Sequence, residues 1–311
     1  MAIIVAVRSG NWSDTSHVTG PWPGASTPTT KPGVDDTVQT EEDIVITIDE
    51  DVTVALLEAV STGYFEVTSA PSLPVVRTIT ANVLSNGLGE GALKISNPSG
   101  KVVLIGDINV AANRNTYAIY NTGVMGNITG NVTGGSELSA VAIVNNGTIG
   151  DVIGNVTGGS GESAFAINSI GTMGNVIGNV TGGLGLSAIA INSIGTMGNV
   201  IGNVTGGSVS GAIAISSTNG TMGNIDGSLI CGANGLFPIS GSFKLVSDPA
   251  NAITVISSTN TLLTLSNDYP AEADVKDGVD YNRGTMTGEL AAGGTIGPVS
   301  IVIGGGGIRI S

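Results

Sequence analysis

The pentapeptide Asn-Val-Thr-Gly-Gly begins at Asn131, Asn155, Asn179 and Asn203, each copy 24 residues after the last. The repeat is longer than the pentapeptide, because the stretch Gly147–Leu186 recurs almost verbatim as Gly171–Ser210. Self-similarity at a fixed period in this range belongs to stacked architectures, in which each unit covers its neighbour's apolar face. A chain bound to such a period is a shaft first, and an enzyme only where a site has been added to it.

The period must be read as helix or strand. Ser163–Asn168 and Asn175–Thr181 are short runs rich in Ile, Val and Thr or Ala, bounded by Gly or Asn-Gly, which is the pattern of strands and turns. No window carries the i, i+3, i+4, i+7 apolar spacing of an amphipathic helix. Glycine is 49 of 311 residues, and each internal glycine costs a helix about 1 kcal/mol relative to alanine. The fold expected is therefore all-β, a parallel β-helix with one coil per repeat and neighbouring coils about 4.8 Å apart. Gly106-Asp-Ile-Asn aligns with Gly130-Asn-Val-Thr, and Tyr117–Asn121 with Val141–Asn145, each at the same 24-residue offset. Asn219–Gly227 fits a further coil with one extra residue. The repeat predicts about seven coils over residues 79–245, on the order of 35 Å of shaft. Residues 1–78 lack the repeat and read as an N-terminal β cap and docking region, and residues 246–311 as a C-terminal β module. Such caps shield the strand edges of the end coils.

Stacking places equivalent residues above one another. Met125, Ile149, Met173, Met197 and Met222 are expected to form an internal apolar column, read as core packing rather than as a soft binding groove. Asn131, Asn155, Asn179 and Asn203 are expected to form an amide ladder, with Thr133, Thr157, Thr181 and Thr205 facing the same way. Glycan or ice binding is the functional alternative for these ladders. They also spell Asn-x-Thr glycosylation sequons. The N-terminus lacks the basic lead and apolar run of a signal peptide, so the sequons are read as by-products of the repeat.

Composition removes several function classes. The net charge is −14 and the ten Lys and Arg form no stripe, which argues against nucleic acid as a partner. No uninterrupted apolar run reaches the 18 residues of a membrane helix. Charged residues are only 11% and mean hydropathy is +0.35. So weakly charged an exterior suggests burial against identical subunits or a large assembly. His17 and Cys231 are the only residues of their kinds, so a Ser-His-Asp triad, a zinc site and an internal disulfide are not expected, and no cofactor is implied. Glu137 and Glu162, 25 residues apart, could stack on adjacent coils as a glycosidase pair, but their loop carries no aromatic residue to hold a sugar. The acidic run from Asp35 to Asp51 is read as a solvated face in preference to a calcium site.

Both ends carry motifs. The opening runs Arg8-Ser-Gly-Asn-Trp-Ser-Asp14, then Lys31-Pro-Gly33 into Val34-Asp-Asp-Thr-Val38, then the strand Val45-Ile-Thr-Ile-Asp-Glu-Asp-Val-Thr-Val54. It resembles the opening of structural proteins in tailed-bacteriophage virions, although Thr37 interrupts their usual Asp-Asp-Val. Near the other end, Tyr269-Pro-Ala-Glu-Ala-Asp-Val-Lys-Asp-Gly-Val-Asp-Tyr-Asn-Arg-Gly-Thr-Met-Thr-Gly-Glu-Leu290 resembles a short module of phage surface proteins, with Lys276 where arginine is usual. Neither motif carries a catalytic residue. The resemblance implies a place on the exterior of a virion. The function expected is a capsid decoration or cement protein, a homotrimer of parallel shafts as is common among viral β-helices, with no enzymatic activity, that binds the major capsid protein or other virion proteins. Trp12 and Trp22 are its candidate docking residues. The alternative is a tail fibre or tailspike that binds a host surface glycan.

Overall fold

In this computed structural model the protein is described at residues 2–16, 18–23, 31–68, 76–86, 91–97, 101–110, 117–136, 138–207, 212–223 and 225–230, and for the backbone of the strands assigned between 239 and 310. Every regular element among these residues is a strand, and the strands stack in parallel as a β-solenoid of about six regular turns.

One coil shows how the repeat is used. Val152–Ile153 and Val156–Thr157 lie on the first sheet, while Phe165–Ser169 and Thr172–Met173 lie on the second. The next coil repeats these in register, with Val152 over Val176, Val156 over Val180, Ile167 over Ile191 and Met173 over Met197. Two sheets therefore enclose one narrow core along the shaft. Inward residues form continuous apolar columns. Ile108, Val132, Val156, Val180, Val204 and Leu229 make one, and Leu104, Ile128, Val152, Val176, Val200 and Ile225 another, all essentially buried. Each such side chain stabilises the fold by about 1.5–3 kcal/mol. Met125, Ile149, Met173, Met197 and Met222 are 1–2% exposed and face the same core.

The corner between the two strands of the first sheet explains one of the glycines. Gly154, Gly178 and Gly202 have φ of 145°, 149° and 145°. A Cβ on Gly178 would also lie 2.2 Å from the carbonyl oxygen of Gly154 in the preceding coil. No other residue combines this backbone with so close an approach.

A second polar stack, inside the second sheet, was not singled out from the sequence. Asn121 and Asn145 are fully buried. The Asn121 side-chain amide donates to Asn145 Oδ1 at 2.8 Å, and that of Asn145 donates to Ser169 Oγ at 3.1 Å. Each amide also serves its own corner. Asn145 Nδ2 donates to the Thr172 carbonyl at 2.9 Å, and Asn145 Oδ1 accepts from the Gly147 N–H at 3.2 Å. Buried polar groups at this turn are thereby paired, as the interior requires.

Parallel stacking extends beyond residues 79–245 at both ends. Parallel stacking begins at Ile3–Val5, which pairs with Thr37–Gln39; these pair with Val52–Ala59, and those with Val76–Ser85. The column runs Ile4, Val38, Leu57, Val83, Ile108 through intervals none of which is 24 residues long. Residues 1–78 thus supply coils whose irregular loops hide the period, while their strands keep the register. At the other end Ile253–Ile256 stacks in parallel on Ser228–Ile230, so this sheet runs on past residue 246. Thr261–Leu265 then pairs antiparallel with Ile253–Ile256. Apart from two short antiparallel pairings, the rest of the expected C-terminal module lies outside the described residues.

Candidate functional site

The feature with most functional promise is the outer face of the first sheet, where each coil presents one residue per column. In one coil these are Ile177, Asn179 and Thr181, which alternate with inward Val176 and Val180. Strand alternation puts Ile177 and Thr181 on the solvent side, and Asn179 is exposed at the corner between the strands.

The Asn column is hydrogen-bonded from coil to coil. The Asn155 N–H donates to Asn131 Oδ1 at 3.0 Å, Asn179 N–H to Asn155 Oδ1 at 2.9 Å, and Asn203 N–H to Asn179 Oδ1 at 2.9 Å. The ladder extends beyond the four repeats. Asp107 N–H donates to Asn82 Oδ1, Asn131 N–H to Asp107 Oδ1, and Ser228 N–H to Asn203 Oδ1 at the far end. The glycine corner turns one backbone N–H per coil away from the regular ladder, and a short side-chain oxygen one coil below receives it. Asn and Asp fit because the oxygen sits two bonds from Cβ. A second ladder of this type borders the sheet on its other side: Asp151 N–H donates to Asn127 Oδ1, Asn175 N–H to Asp151 Oδ1 and Asn199 N–H to Asn175 Oδ1, at 2.7–3.0 Å. The amide oxygens of the repeat are therefore structural, which weighs against their serving as ligands for a glycan.

The Ile column is different. Ile153, Ile177 and Ile201 are 40%, 38% and 43% exposed, stacked in register. Thr129 continues the column below them and Asp226 closes it above. Periodicity alone contains this column, since Ile153, Ile177 and Ile201 recur every 24 residues. Which face they occupy emerges only from the pleat.

Trp12 and Trp22 are not docking residues in this structure. They are 3% and 1% exposed and meet edge to face at 4.8 Å, with Trp22 Nε1 donating to the Trp12 carbonyl at 3.0 Å. Both rings belong to the buried core of the first coils. The opening motif is a structural unit around them. Trp12 N–H donates to the Thr47 carbonyl at 2.7 Å, Ser13 N–H to Asp49 Oδ1 at 2.9 Å, and Val45 N–H to Ser9 Oγ at 2.9 Å. Its two separated segments are thus neighbours in the first coils.

The acidic run is spent on local contacts. Asp36 accepts from the Ala2 and Gly33 N–H groups at 2.8 and 2.9 Å, and these bonds hold its carboxyl below the ordinary value. Asp43 accepts from Thr62 Oγ1, Asp51 from the Thr78 N–H, and Glu50 pairs with Lys31 at 2.5 Å. Among the described residues no three His, Cys, Asp or Glu side chains gather as metal ligands. His17, Glu137 and Cys231 lie outside the described residues. Glu162 is exposed, and its loop stacks through Ser139 N–H to the Glu162 carbonyl and Ser163 N–H to the Leu186 carbonyl. That register aligns Glu162 with Leu138 and Leu186.

Sequence reasoning missed one cluster. Tyr64, Lys94, Tyr117 and Tyr120 share the outer face of the second sheet, all half-buried. Tyr117 and Tyr120 stack at 5.5 Å, and the Lys94 ammonium lies 5.4 Å from the Tyr64 ring centre. Glu66 beside them accepts from Ser96 Oγ at 2.8 Å. The available signal was the concentration of tyrosine in a chain only 4% aromatic. No family model, no curated protein and no solved structure matches this chain.

Proposed function

We propose that the protein is a structural component of the exterior of a tailed-phage virion, most simply a capsid decoration protein that binds and stabilises the assembled head as a homotrimer. The observation that carries this reading is the shaft itself. A parallel solenoid that stacks its repeats in register uses their residues for coil-to-coil ladders and leaves an uncharged apolar column outward. That is the construction of a rigid part meant to lie against other protein. The resemblance of both termini to phage surface proteins supplies the station. The mechanism is mass action: a protein that binds only the assembled shell stabilises it, by about 2.7 kcal/mol per site at 100 times Kd.

The test is to incubate purified protein with undecorated heads and, separately, with host cells. Saturable coating that raises the temperature of head disruption is the expected result. Binding to cells with none to heads refutes it.

A second reading, a fibre that binds a surface glycan, is favoured by the Tyr64, Lys94, Tyr117 and Tyr120 cluster. Aromatic faces stack on the apolar faces of sugars, and the flanking Glu66 and Lys94 could bond hydroxyls. Loss of cell binding in Tyr117→Ala and Tyr120→Ala would support that reading, and unchanged binding would remove it.

A further inference from the structure

We infer that the column Ile153, Ile177 and Ile201 is the surface through which copies of this chain meet. The inference rests on the self-association proposed above and assigns its contact.

Isoleucine exposed singly needs no explanation, but three stacked in register on successive coils form one continuous apolar ridge. Ile105, 43% exposed, belongs to the same column one coil below Thr129, whereas other exposed aliphatic residues of the repeat form no such ridge. Ile170 and Ile194 sit at a corner of the second sheet, and Glu162 separates Leu138 from Leu186. Beside the ridge lie Asn155, Asn179 and Asn203, whose backbone N–H groups are already bonded within the chain, as are the side-chain oxygens of Asn155 and Asn179. On its other border Asp151 and Asn175 are engaged in the same way. Covering this face therefore leaves these backbone N–H groups and amide oxygens paired, while the Asn155, Asn179 and Asn203 side-chain N–H groups and the Thr157, Thr181 and Thr205 hydroxyls must find partners across the contact.

Charge and spacing identify the occupant as a second copy. The chain carries a net charge of −14, so two copies repel over most orientations. Among the described residues, the outward Ile, Asn and Thr columns from Thr129 to Thr205 hold no charged side chain. Carboxylates stand at the limits of this area: Asp107 and Asp226 at its ends and Asp151 on its border. Like charges brought opposite one another destabilise an interface, so the acids confine contact to the neutral zone. The ridge also requires a partner with apolar groups at the coil spacing of about 4.8 Å. Another copy of the same face meets that requirement over its whole length.

The experiment uses the full chain in a Cys231→Ser background. Ile153→Cys, Ile177→Cys and Ile201→Cys are introduced singly, with Thr196→Cys on the exposed second sheet as control. Facing sheets lie about 10 Å apart, so a short bifunctional maleimide is used in place of a disulfide. The expected result is a covalent pair from Ile177→Cys and none from Thr196→Cys. Self-linking at all three ridge positions supports parallel copies in contact. Self-linking at Ile177→Cys alone, with Ile153→Cys linking to Ile201→Cys on mixing, supports antiparallel copies in contact. In parallel, Ile177→Asp should weaken association at least ~100-fold by light scattering, since an unpaired charge would be buried. Ile177→Asp, which places the residue found at Asp226 of the same column, should preserve the strand circular-dichroism spectrum and so exclude misfolding as the cause. An oligomer that persists in Ile177→Asp without ridge cross-links overturns the inference while leaving self-association intact. A monomeric wild type overturns both, and head binding is scored independently of either.

Discussion

Replacing Asn145 by leucine tests whether the buried amide stack holds the solenoid's second sheet in register. The side chain is fully buried and makes four hydrogen bonds: it donates to Ser169 Oγ and the Thr172 carbonyl, and accepts from Asn121 Nδ2 and the Gly147 N–H. Leucine fills a similar volume but makes none of them. Asn121 Nδ2 keeps a second acceptor, the Thr148 carbonyl at 3.1 Å. The Gly147 N–H and Thr172 carbonyl lose their side-chain partner at a part-buried corner. A fully buried orphan costs about 1–3 kcal/mol, so with these two part-buried, Asn145→Leu should destabilise by about 2–4 kcal/mol. Asn145→Ser, which places the residue found at Ser169 and Ser193 in this column, should cost less because a hydroxyl can still bond at the corner. Urea unfolding followed by circular dichroism compares the two, and amide exchange of the flanking coils locates the damage. In a stacked protein the loss should fall on the adjoining coil interfaces. An Asn145→Leu protein as stable as Asn145→Ser, within about 1 kcal/mol, would refute the claim that these bonds decide the turn.

Other expectations follow the same geometry. Gly178→Ala combines φ of 149° with a Cβ 2.2 Å from a backbone oxygen, so it should sharply lower the melting temperature or abolish soluble folding. Gly33→Ala, whose Cβ would meet nothing nearer than Asp36 Oδ2 at 3.5 Å, should melt near wild type. Asn179→Ala removes the acceptor of the exposed Asn203 N–H and should cost about 0.5–1.5 kcal/mol in urea unfolding, because water can replace it in part. Asp36 has a lowered pKa, so its contribution is complete above the ordinary value of 3.8 and is lost as pH falls below it. Emission from Trp12 and Trp22, the only tryptophans, should report an acid transition of the first coils, and Asp36→Asn should diminish its pH dependence.

The legibility of the chain varied along its length for physical reasons. From Gly106 to Gly227 near-identical residues repeat at near-identical spacing, and stacking then has one register that buries Val132, Val156, Val180 and Val204 together. The first coils were illegible because Val38, Leu57 and Val83 satisfy the same column through loops of unequal length. Loop length costs a solenoid little, whereas loss of register would expose a whole row of strand edges. Trp12 and Trp22 misled for a related reason. A tryptophan in a Pro- and Gly-rich segment suits an interface or an interior, and only the coil packing against Thr47 and Asp49 selects the interior.

Sequence by itself determined the all-β stacked architecture, the alternation of inward and outward residues, and the columns that must form when units 24 residues long lie one upon another. These are local consequences of composition and period. The tertiary structure alone decided what each column does. Asn131 and Asn145 are the same residue type in the same repeat. One caps an exposed corner through its oxygen and the other is sealed inside a turn, bonded on every side. Ile177 and Ile191 differ as little in sequence. Yet the pleat and the corner glycines leave the first in water and drive the second into the core, because a side chain's environment depends on the neighbouring coils as well as on its place in the period.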